Sequence, residues 1–142
     1  MKSAADTTKS LTSQIKQAAH ELGFELVGIS PVEPPPHEKS FAQWLRAGFA
    51  GELGYMKRTE LLRREPKELA PWAASIISVG LNYYKSPPRP AMSRENSGWI
   101  SRYAWGDDYH EVMNAKLSSL LDAVNELDDA PVRGRAFVDS VP

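Results

Sequence analysis

Apolar residues recur at helical spacing in two long stretches of the chain. The first stretch ends before Gly23, a residue that often terminates helices. The second follows Asp107 and Asp108, either of which can cap a helix N-terminus. Their apolar stripes are Leu11, Ile15, Ala18, Ala19 and Leu22 in the first, and Tyr109, Met113, Leu117, Leu120, Leu121, Val124 and Leu127 in the second. Spacings of three and four residues predict two amphipathic helices, each with one face in the core.

Three shorter segments have the length of strands, and each contains an apolar run. The first, Phe24–Ile29, is ended by Pro31, which cannot donate to a sheet. The second, Ser75–Tyr83, is apolar enough to be a central strand. The third is Arg133–Val138, and it would present the next residue, Asp139, at its carboxyl end. We therefore predict three strands.

The segments between these elements predict shorter structures. Phe41, Trp44 and Leu45 form one face of a second helix that ends near Gly48. Residues 51–67 mix glycine, aromatic and charged residues without the apolar spacing of a helix or the alternation of a strand. This pattern predicts short helical turns and loops.

Other segments are expected to be loops or short extended pieces. Residues 85–97 hold three prolines and predict an exposed loop. Residues 99–104 are predicted to be a short extended segment, and the polar residues 1–10 are expected to be disordered. The order helix, strand, helices, strand, helix, strand predicts a mixed α/β or α+β sandwich with a central sheet flanked by helices. A chain of 142 residues with 42% hydrophobic residues is expected to form it as a single domain.

Composition excludes several classes of protein. A charged fraction of 25% and a formal net charge of -1 argue against a broadly basic protein that coats nucleic acids. The absence of cysteine excludes disulfides, zinc ribbons and cysteine-ligated iron–sulfur clusters within this chain. The first residues lack the apolar core of a signal peptide, and no run approaches the roughly 20 apolar residues that span a bilayer. We expect a cytoplasmic protein with no membrane partner.

The densest group of chemically active side chains lies in residues 100–110. Ser101, Arg102, Tyr103 and His110 fall in a segment that also holds two carboxylates and two further aromatic rings. A glycine-bearing turn into a helix N-terminus can present backbone N–H groups to a polar ligand, while aromatic faces can cover a flat cofactor. The alternative is that the aspartates only cap the helix and that the aromatic rings belong to the core.

Two other features could carry chemistry. Asp139 at the end of a strand could donate a proton if its setting keeps it protonated, or it could simply cap the next turn. A basic cluster could contact phosphates, although three glutamates interrupt it and a solvated helical face explains it as well. Its members are Lys57, Arg58, Arg63, Arg64 and Lys67. The three histidines are too scattered to predict a metal site.

From about residue 11 to the last residue, the order of these segments resembles the epoxyqueuosine reductases. The most specific parts are the Arg-Tyr-Ala-Trp-Gly-Asp-Asp-Tyr-His block at 102–110 and the Asp-Ser-Val-Pro end at 139–142. Less specific matches are Leu22-Gly23-Phe24, Leu26-Val27-Gly28-Ile29, Phe41 with Trp44-Leu45, Gly51 with Gly54-Tyr55-Met56, Ser75-Ile76-Ile77-Ser78-Val79 and Asn82-Tyr83.

The resemblance implies a tRNA-modifying oxidoreductase of queuosine biosynthesis. Enzymes of that family reduce the epoxide of epoxyqueuosine in the tRNA anticodon loop, using cobalamin and electrons passed through two 4Fe-4S clusters. It implies that Asp139 is the catalytic proton donor. It also implies that the cofactor-binding residues, near cobalamin or the modified base, are Arg58, Ser101, Arg102, Tyr103 and His110. The implied partner is the anticodon stem-loop of the tRNAs for Asn, Asp, His and Tyr, bound by a monomer whose electron donor the resemblance does not identify.

Without cysteine, this chain cannot ligate either cluster. We therefore expect residues 1–142 to be the N-terminal cobalamin-binding (DUF1730-like) domain of such an enzyme, truncated before its iron–sulfur domain and inactive alone. Two alternatives remain. One is a stand-alone module that binds cobalamin or tRNA without its own catalysis. The other is a nitroreductase-like or corrinoid-handling relative with another substrate.

Overall fold

A computed structural model describes residues 4–86, 98, 100–128 and 130–139 of the chain. Its elements in order are α1 (Ala4–Glu21), β1 (Leu26–Pro31), α2 (Glu38–Arg46), α3 (Gly54–Arg58), α4 (Glu60–Arg64), α5 (Pro66–Leu69), β2 (Ser75–Gly80), a 3₁₀ turn (Arg102–Ala104) and α6 (Tyr109–Glu126). The strands β1 and β2 pair in one antiparallel two-stranded sheet. The predicted mixed α+β class is confirmed.

Residue contacts group the chain into two compact units. The first unit comprises the chain up to Val27 together with Ser78–Val138. The second comprises Gly28–Ile77 with Asp139. Each unit has its own set of helices.

The first unit is built on the two long helices. α1 packs on α6, and the predicted apolar stripes supply four of the buried side chains, Ile15, Ala19, Leu120 and Val124. The side chains below a tenth exposed in this unit are Ile15, Ala19, Phe24, Leu120, Val124 and Val138. Both long helices therefore follow the spacing of their apolar residues.

The end of α1 is fixed by local and long-range hydrogen bonds. Gly23 has a φ of +86°, and its N–H donates to the His20 carbonyl, as in a helix that ends at a left-handed residue. Phe24 N–H donates to the Ala19 carbonyl, so Phe24 belongs to this turn and β1 begins only at Leu26. Lys116 of α6 donates through Nζ to the Leu22 carbonyl and thereby ties α6 to the end of α1.

The helix α1 also starts earlier than its apolar stripe. It begins at Ala4, so residues 4–10, which the sequence predicts as disordered, are helical in the structure. Alanine has the highest helix propensity, and the pair Ala4-Ala5 extends the helix where apolar periodicity gives no signal.

The predicted third strand, Arg133–Val138, does not form. These residues are irregular, and they follow α6 instead of joining the sheet. Val132 N–H donates to the Asn125 side chain of α6 over 3.0 Å, and Gly134 lies so close to Leu121 that a β-carbon would overlap it. The Val132 hydrogen bond and the close approach of Gly134 hold the segment against α6. Its apolar end at Val138 is therefore buried without strand pairing.

The predicted extended segment at 99–104 is also corrected. Residue 99 lies outside the described residues, and Arg102–Ala104 form a 3₁₀ turn. Two short-range bonds close it: Ala104 N–H donates to Ser101 and Trp105 N–H donates to Arg102, each over 3.0 Å. The predicted loop at 85–97 lies outside the described residues from residue 87 onward.

The second unit contains the short helices. α2 ends at Arg46, followed by Gly48 with a φ of +76°, as its apolar face predicts. The short helical turns expected over 51–67 are α3, α4 and the first turn of α5. Arg64 of α4 donates to Glu38 of α2 over 2.8 Å and to Glu60 over 3.3 Å. These bonds hold the pKa of Arg64 above its ordinary value, chiefly through the hydrogen bond to Glu38.

Candidate functional site

A pocket of about 810 Å³ opens in the first unit. It is formed by the start of β1, the end of β2 with the residues that follow it, and the 3₁₀ turn. Its lining residues are Glu25, Leu26, Gly80, Leu81, Asn82, Tyr83, Tyr84, Ser101, Arg102 and Tyr103. We call it the tyrosine pocket because its three tyrosines are each more than half exposed.

Arginine and tyrosine form one wall of the tyrosine pocket. The guanidinium carbon of Arg102 lies 4.7 Å from the centroid of the Tyr84 ring, a cation–π geometry. Lys85 donates through Nζ to the Trp105 carbonyl over 3.3 Å, and the Trp105 indole N–H donates to the Ile100 carbonyl over 3.0 Å. The Lys85 bond attaches the residue after the 3₁₀ turn to the residues after β2, and the Trp105 bond closes the turn on Ile100, so Arg102 and Tyr84 are held on the same wall.

Glu25 orders the part of the lining that follows β2. Its Oε2 accepts the backbone N–H of Asn82 over 2.9 Å, and the Asn82 side-chain oxygen accepts the N–H of Tyr84 over 2.9 Å. The Glu25 N–H in turn donates to the Gly80 carbonyl over 3.1 Å. Glu25 is not among the predicted site residues, although a carboxylate inside an otherwise apolar run is the signal that could have identified it.

An aromatic stack continues from Tyr103 to the start of α6. Tyr103 meets Tyr109 edge to face with ring centroids 5.9 Å apart, and the Tyr109 ring lies 4.0 Å from the ring of His110. Asp108 caps α6: its Oδ1 accepts the backbone N–H of His110 over 2.9 Å and bonds to the ring Nδ1 over 2.8 Å. These bonds lower the pKa of Asp108, with the backbone bond contributing most.

The structure brings together part of the predicted site. Ser101, Arg102 and Tyr103 line the tyrosine pocket, and His110 connects to it through Tyr109. Arg58 and Asp139 belong to the second unit, where both side chains are exposed. The roles of all these residues stay predictions, and residues 140–142 of the Asp-Ser-Val-Pro end lie outside the described residues.

Two arginines of the basic cluster have different partners. Arg64 is engaged by Glu38 and Glu60, whereas Arg63 donates through Nε to the Thr59 hydroxyl over 2.9 Å. Its guanidinium lies 5.9 Å from the centroid of the Tyr55 ring. The second unit therefore contains an arginine–tyrosine pair comparable to Arg102 and Tyr84, but in an arrangement of short helices.

Within the ranges that the structure describes, no helix is both long enough and apolar enough to cross a bilayer.

A protein-family model described as epoxyqueuosine reductase QueG, DUF1730, matches residues 63–140, more than half of the chain. The chain belongs to this family. The match includes the 3₁₀ turn, His110 and Asp139, whereas Arg58 precedes it.

Individual relatives extend the similarity over more of the chain. The epoxyqueuosine reductase of Vibrio cholerae is 41% identical over 136 residues, which cover 93% of this chain and 36% of the relative. Those of Pseudomonas aeruginosa and Escherichia coli are 38% and 36% identical, again over 93% of this chain and over 37% and 35% of their own lengths. The chain thus spans about a third of the length of these relatives. No solved structure matches it significantly.

Proposed function

We propose that this chain is the cobalamin-binding part of an epoxyqueuosine reductase. The complete enzyme would reduce the epoxide of epoxyqueuosine in the anticodon loop of tRNA to the alkene of queuosine. The observation that carries the proposal is the tyrosine pocket, whose lining residues Gly80–Tyr84 and Ser101–Tyr103 lie within the family match.

The lining of the tyrosine pocket suits a large, flat cofactor that bears amide groups. Its volume of about 810 Å³ lies in the range of small-molecule sites. The exposed rings of Tyr83, Tyr84 and Tyr103 offer apolar faces, and Ser101 and Arg102 add polar groups at the same wall. These residues would hold the corrin ring and its amide side chains, and the aromatic stack behind Tyr103 would include His110 in the surroundings.

The reaction defines what the chain's own residues must do. Reduction of an epoxide to an alkene consumes two electrons and two protons and releases the oxygen as water. Cobalamin, when bound, supplies an electron-rich cobalt centre for this reduction. We assign to Asp139 the transfer of a proton to the epoxide oxygen, and to Arg58 a contact with the cofactor or the base. The cysteine ligands of two 4Fe-4S clusters would come from outside these 142 residues.

The proposed partner is the anticodon stem-loop of the tRNAs for Asn, Asp, His and Tyr, approached by a monomeric cytoplasmic protein. One observation favours a second candidate, a module that binds cobalamin but depends on another polypeptide for electrons. The chain has no cysteine with which to ligate a cluster.

Cobalamin retention tests the pocket assignment. The chain is incubated with hydroxocobalamin and desalted, and the retained corrin is measured by its visible absorbance. We expect Arg102→Ala to weaken binding about tenfold, since hydrogen bonds to a charged group contribute roughly 1.5–3 kcal/mol and each 1.4 kcal/mol is a factor of ten.

Arg63→Ala is the matched control because it removes the arginine of the other arginine–tyrosine pair. It should leave retention unchanged. If both variants lose retained corrin equally, the tyrosine pocket is not the cobalamin site. If the wild-type chain retains no corrin, this polypeptide does not bind cobalamin by itself.

Asp139→Asn tests the proton donor in the complete enzyme, in single-turnover conversion of an epoxyqueuosine-containing stem-loop. General acid catalysis typically contributes 10²–10⁴-fold, so we expect a rate loss of about that size with cobalamin retention intact. A role in capping alone predicts almost no change, because asparagine is also a good cap.

A further inference from the structure

The start of α6 contains a carboxylate that bonds twice to one histidine. Asp108 Oδ1 lies 2.9 Å from the backbone nitrogen of His110 and 2.8 Å from its ring Nδ1. Capping a helix requires only the first of these bonds. The second bond fixes the side chain of His110, which capping does not require, and it therefore needs a separate explanation.

The second bond determines which ring nitrogen carries the proton. An ionised carboxylate can only accept hydrogen bonds, so the proton between the two atoms must belong to Nδ1. Asp108 is ionised at neutral pH, since the bonds from His110 lower the pKa of its carboxyl group. A neutral His110 ring then has its lone pair on Nε2.

The histidine is also coupled to the tyrosine pocket by ring packing. Its ring lies 4.0 Å from that of Tyr109 at an interplanar angle of 30°, and Tyr109 meets Tyr103 edge to face. Tyr103 lines the pocket. A change in the orientation of His110 would therefore disturb the ring that supports this wall.

We propose that Asp108 is a positioning residue that holds His110 in one orientation as the Nδ1–H tautomer. Nε2 is then the acceptor nitrogen, suited to a hydroxyl or amide N–H donor. Only one part of this proposal rests on the proposed function, namely that the donor to Nε2 belongs to the cofactor or the modified base. The tautomer itself follows from the geometry of Asp108 and His110.

The test is a long-range ¹H–¹⁵N correlation spectrum of the histidine-labelled chain, recorded without cofactor at a pH where imidazole is neutral. His110, assigned with a His110→Gln variant, should show a pyrrole-like Nδ1 and a pyridine-like Nε2. Asp108→Ser keeps a good N-cap but removes the carboxylate, and it should shift the ring toward the Nε2–H form. Asp108→Asn should retain Nδ1–H, because its amide oxygen can accept both bonds.

Asp107→Ser is the matched control, since it removes the neighbouring carboxylate and should leave the spectrum unchanged. An Nε2–H ring in the wild-type chain would overturn the proposal, and so would an unchanged tautomer in a folded Asp108→Ser variant. If Asp108→Ser does not fold, the wild-type and Asp108→Asn spectra still decide, because both must show Nδ1–H.

Cobalamin retention by the same proteins separates this proposal from the proposed function. A wild-type chain with the Nδ1–H tautomer but no retained corrin would support the positioning role and contradict cobalamin binding by the chain. Retention that falls in Asp108→Ser but persists in Asp108→Asn would support both.

Discussion

The two units differ in the forces that hold their helices. In the first, α1 and α6 each have 18 residues, and their apolar stripes pack on one another. In the second, the longest helix, α2, has nine residues, and the buried apolar side chains described there are Val32 and Ala42. Helices shorter than about 12–15 residues are marginal by themselves in water. The comparison indicates that apolar burial dominates in the first unit, whereas polar contacts such as those of Arg64 matter more in the second.

The largest effect should come from the core of the first unit. Phe24 is 1% exposed, and truncation of a buried phenylalanine typically costs about 3–5 kcal/mol in unfolding free energy. Phe24→Ala should therefore unfold the chain or lower its urea midpoint strongly. Phe49→Ala is the control in the second unit, where the side chain is 72% exposed and the expected change is within about 0.5 kcal/mol. Equal losses would show that burial does not distinguish the units.

A smaller effect should follow from loss of the contact between α6 and the end of α1. Lys116 donates to the Leu22 carbonyl, and its ammonium lies 5.9 Å from the centroid of the Phe24 ring. Lys116→Met keeps most of the length of the side chain but removes the ammonium group, and it should cost about 1–3 kcal/mol by urea unfolding. Lys16→Met, at an exposed position of α1, should cost almost nothing. If Lys116→Met leaves the unfolding free energy unchanged, the packing of α1 on α6 depends only on their apolar faces.

The ion pair of the second unit should contribute less. Glu38→Gln removes the charge that faces Arg64 over 2.8 Å, and we expect a small decrease in melting temperature. Glu65→Gln is the matched control, because Glu65 is exposed and forms no ion pair with the described residues. A decrease larger than that of Lys116→Met would mean that the second unit depends on Arg64 more than the comparison suggests.

The smallest effect concerns pH. Because the pKa of Asp108 is lowered in the folded chain, its stabilising bonds are complete above the ordinary carboxyl value of 3.8 and are lost as the pH falls through the lower folded value. Urea unfolding at pH 6 and at pH 3 should show a slightly larger loss for the wild type than for Asp108→Asn, which does not titrate. The difference should be modest, since Asp108 is exposed. An identical loss in the two proteins would contradict the role of the charged carboxylate.

The elements that the sequence predicts correctly are those specified by nearby residues. The spacing of apolar residues places α1 and α6, and Asp108 marks the start of α6. Strand Arg133–Val138 is mispredicted because a short apolar run such as Ala136-Phe137-Val138 says nothing about whether a neighbouring strand is present. The 3₁₀ turn is missed because two short-range hydrogen bonds, and not side-chain character, determine it.

The same distinction applies to the candidate site. Ser101, Arg102 and Tyr103 are adjacent in sequence, so their grouping could be predicted. The hydrogen bond from Asn82 to Glu25 joins residues 57 positions apart, and no local pattern indicates that pairing. The stacking of Arg102 on Tyr84 is likewise a product of the fold. The proposed roles of Arg58 and Asp139 continue to rest on the family resemblance alone.

The bonds that order Asn82 and Tyr84 have a consequence for ligand selection. They constrain the backbone on both sides of Tyr83, so the main-chain positions from which the rings of Tyr83 and Tyr84 extend are set by the fold. A preorganised wall avoids part of the entropy loss that ordering would otherwise impose at the moment of association, about 0.5–1.5 kcal/mol for each immobilised side chain. A flat ligand that fits such a wall poorly cannot improve its contacts by changing the shape of the wall. Ligands should therefore differ mainly in their dissociation rate constants.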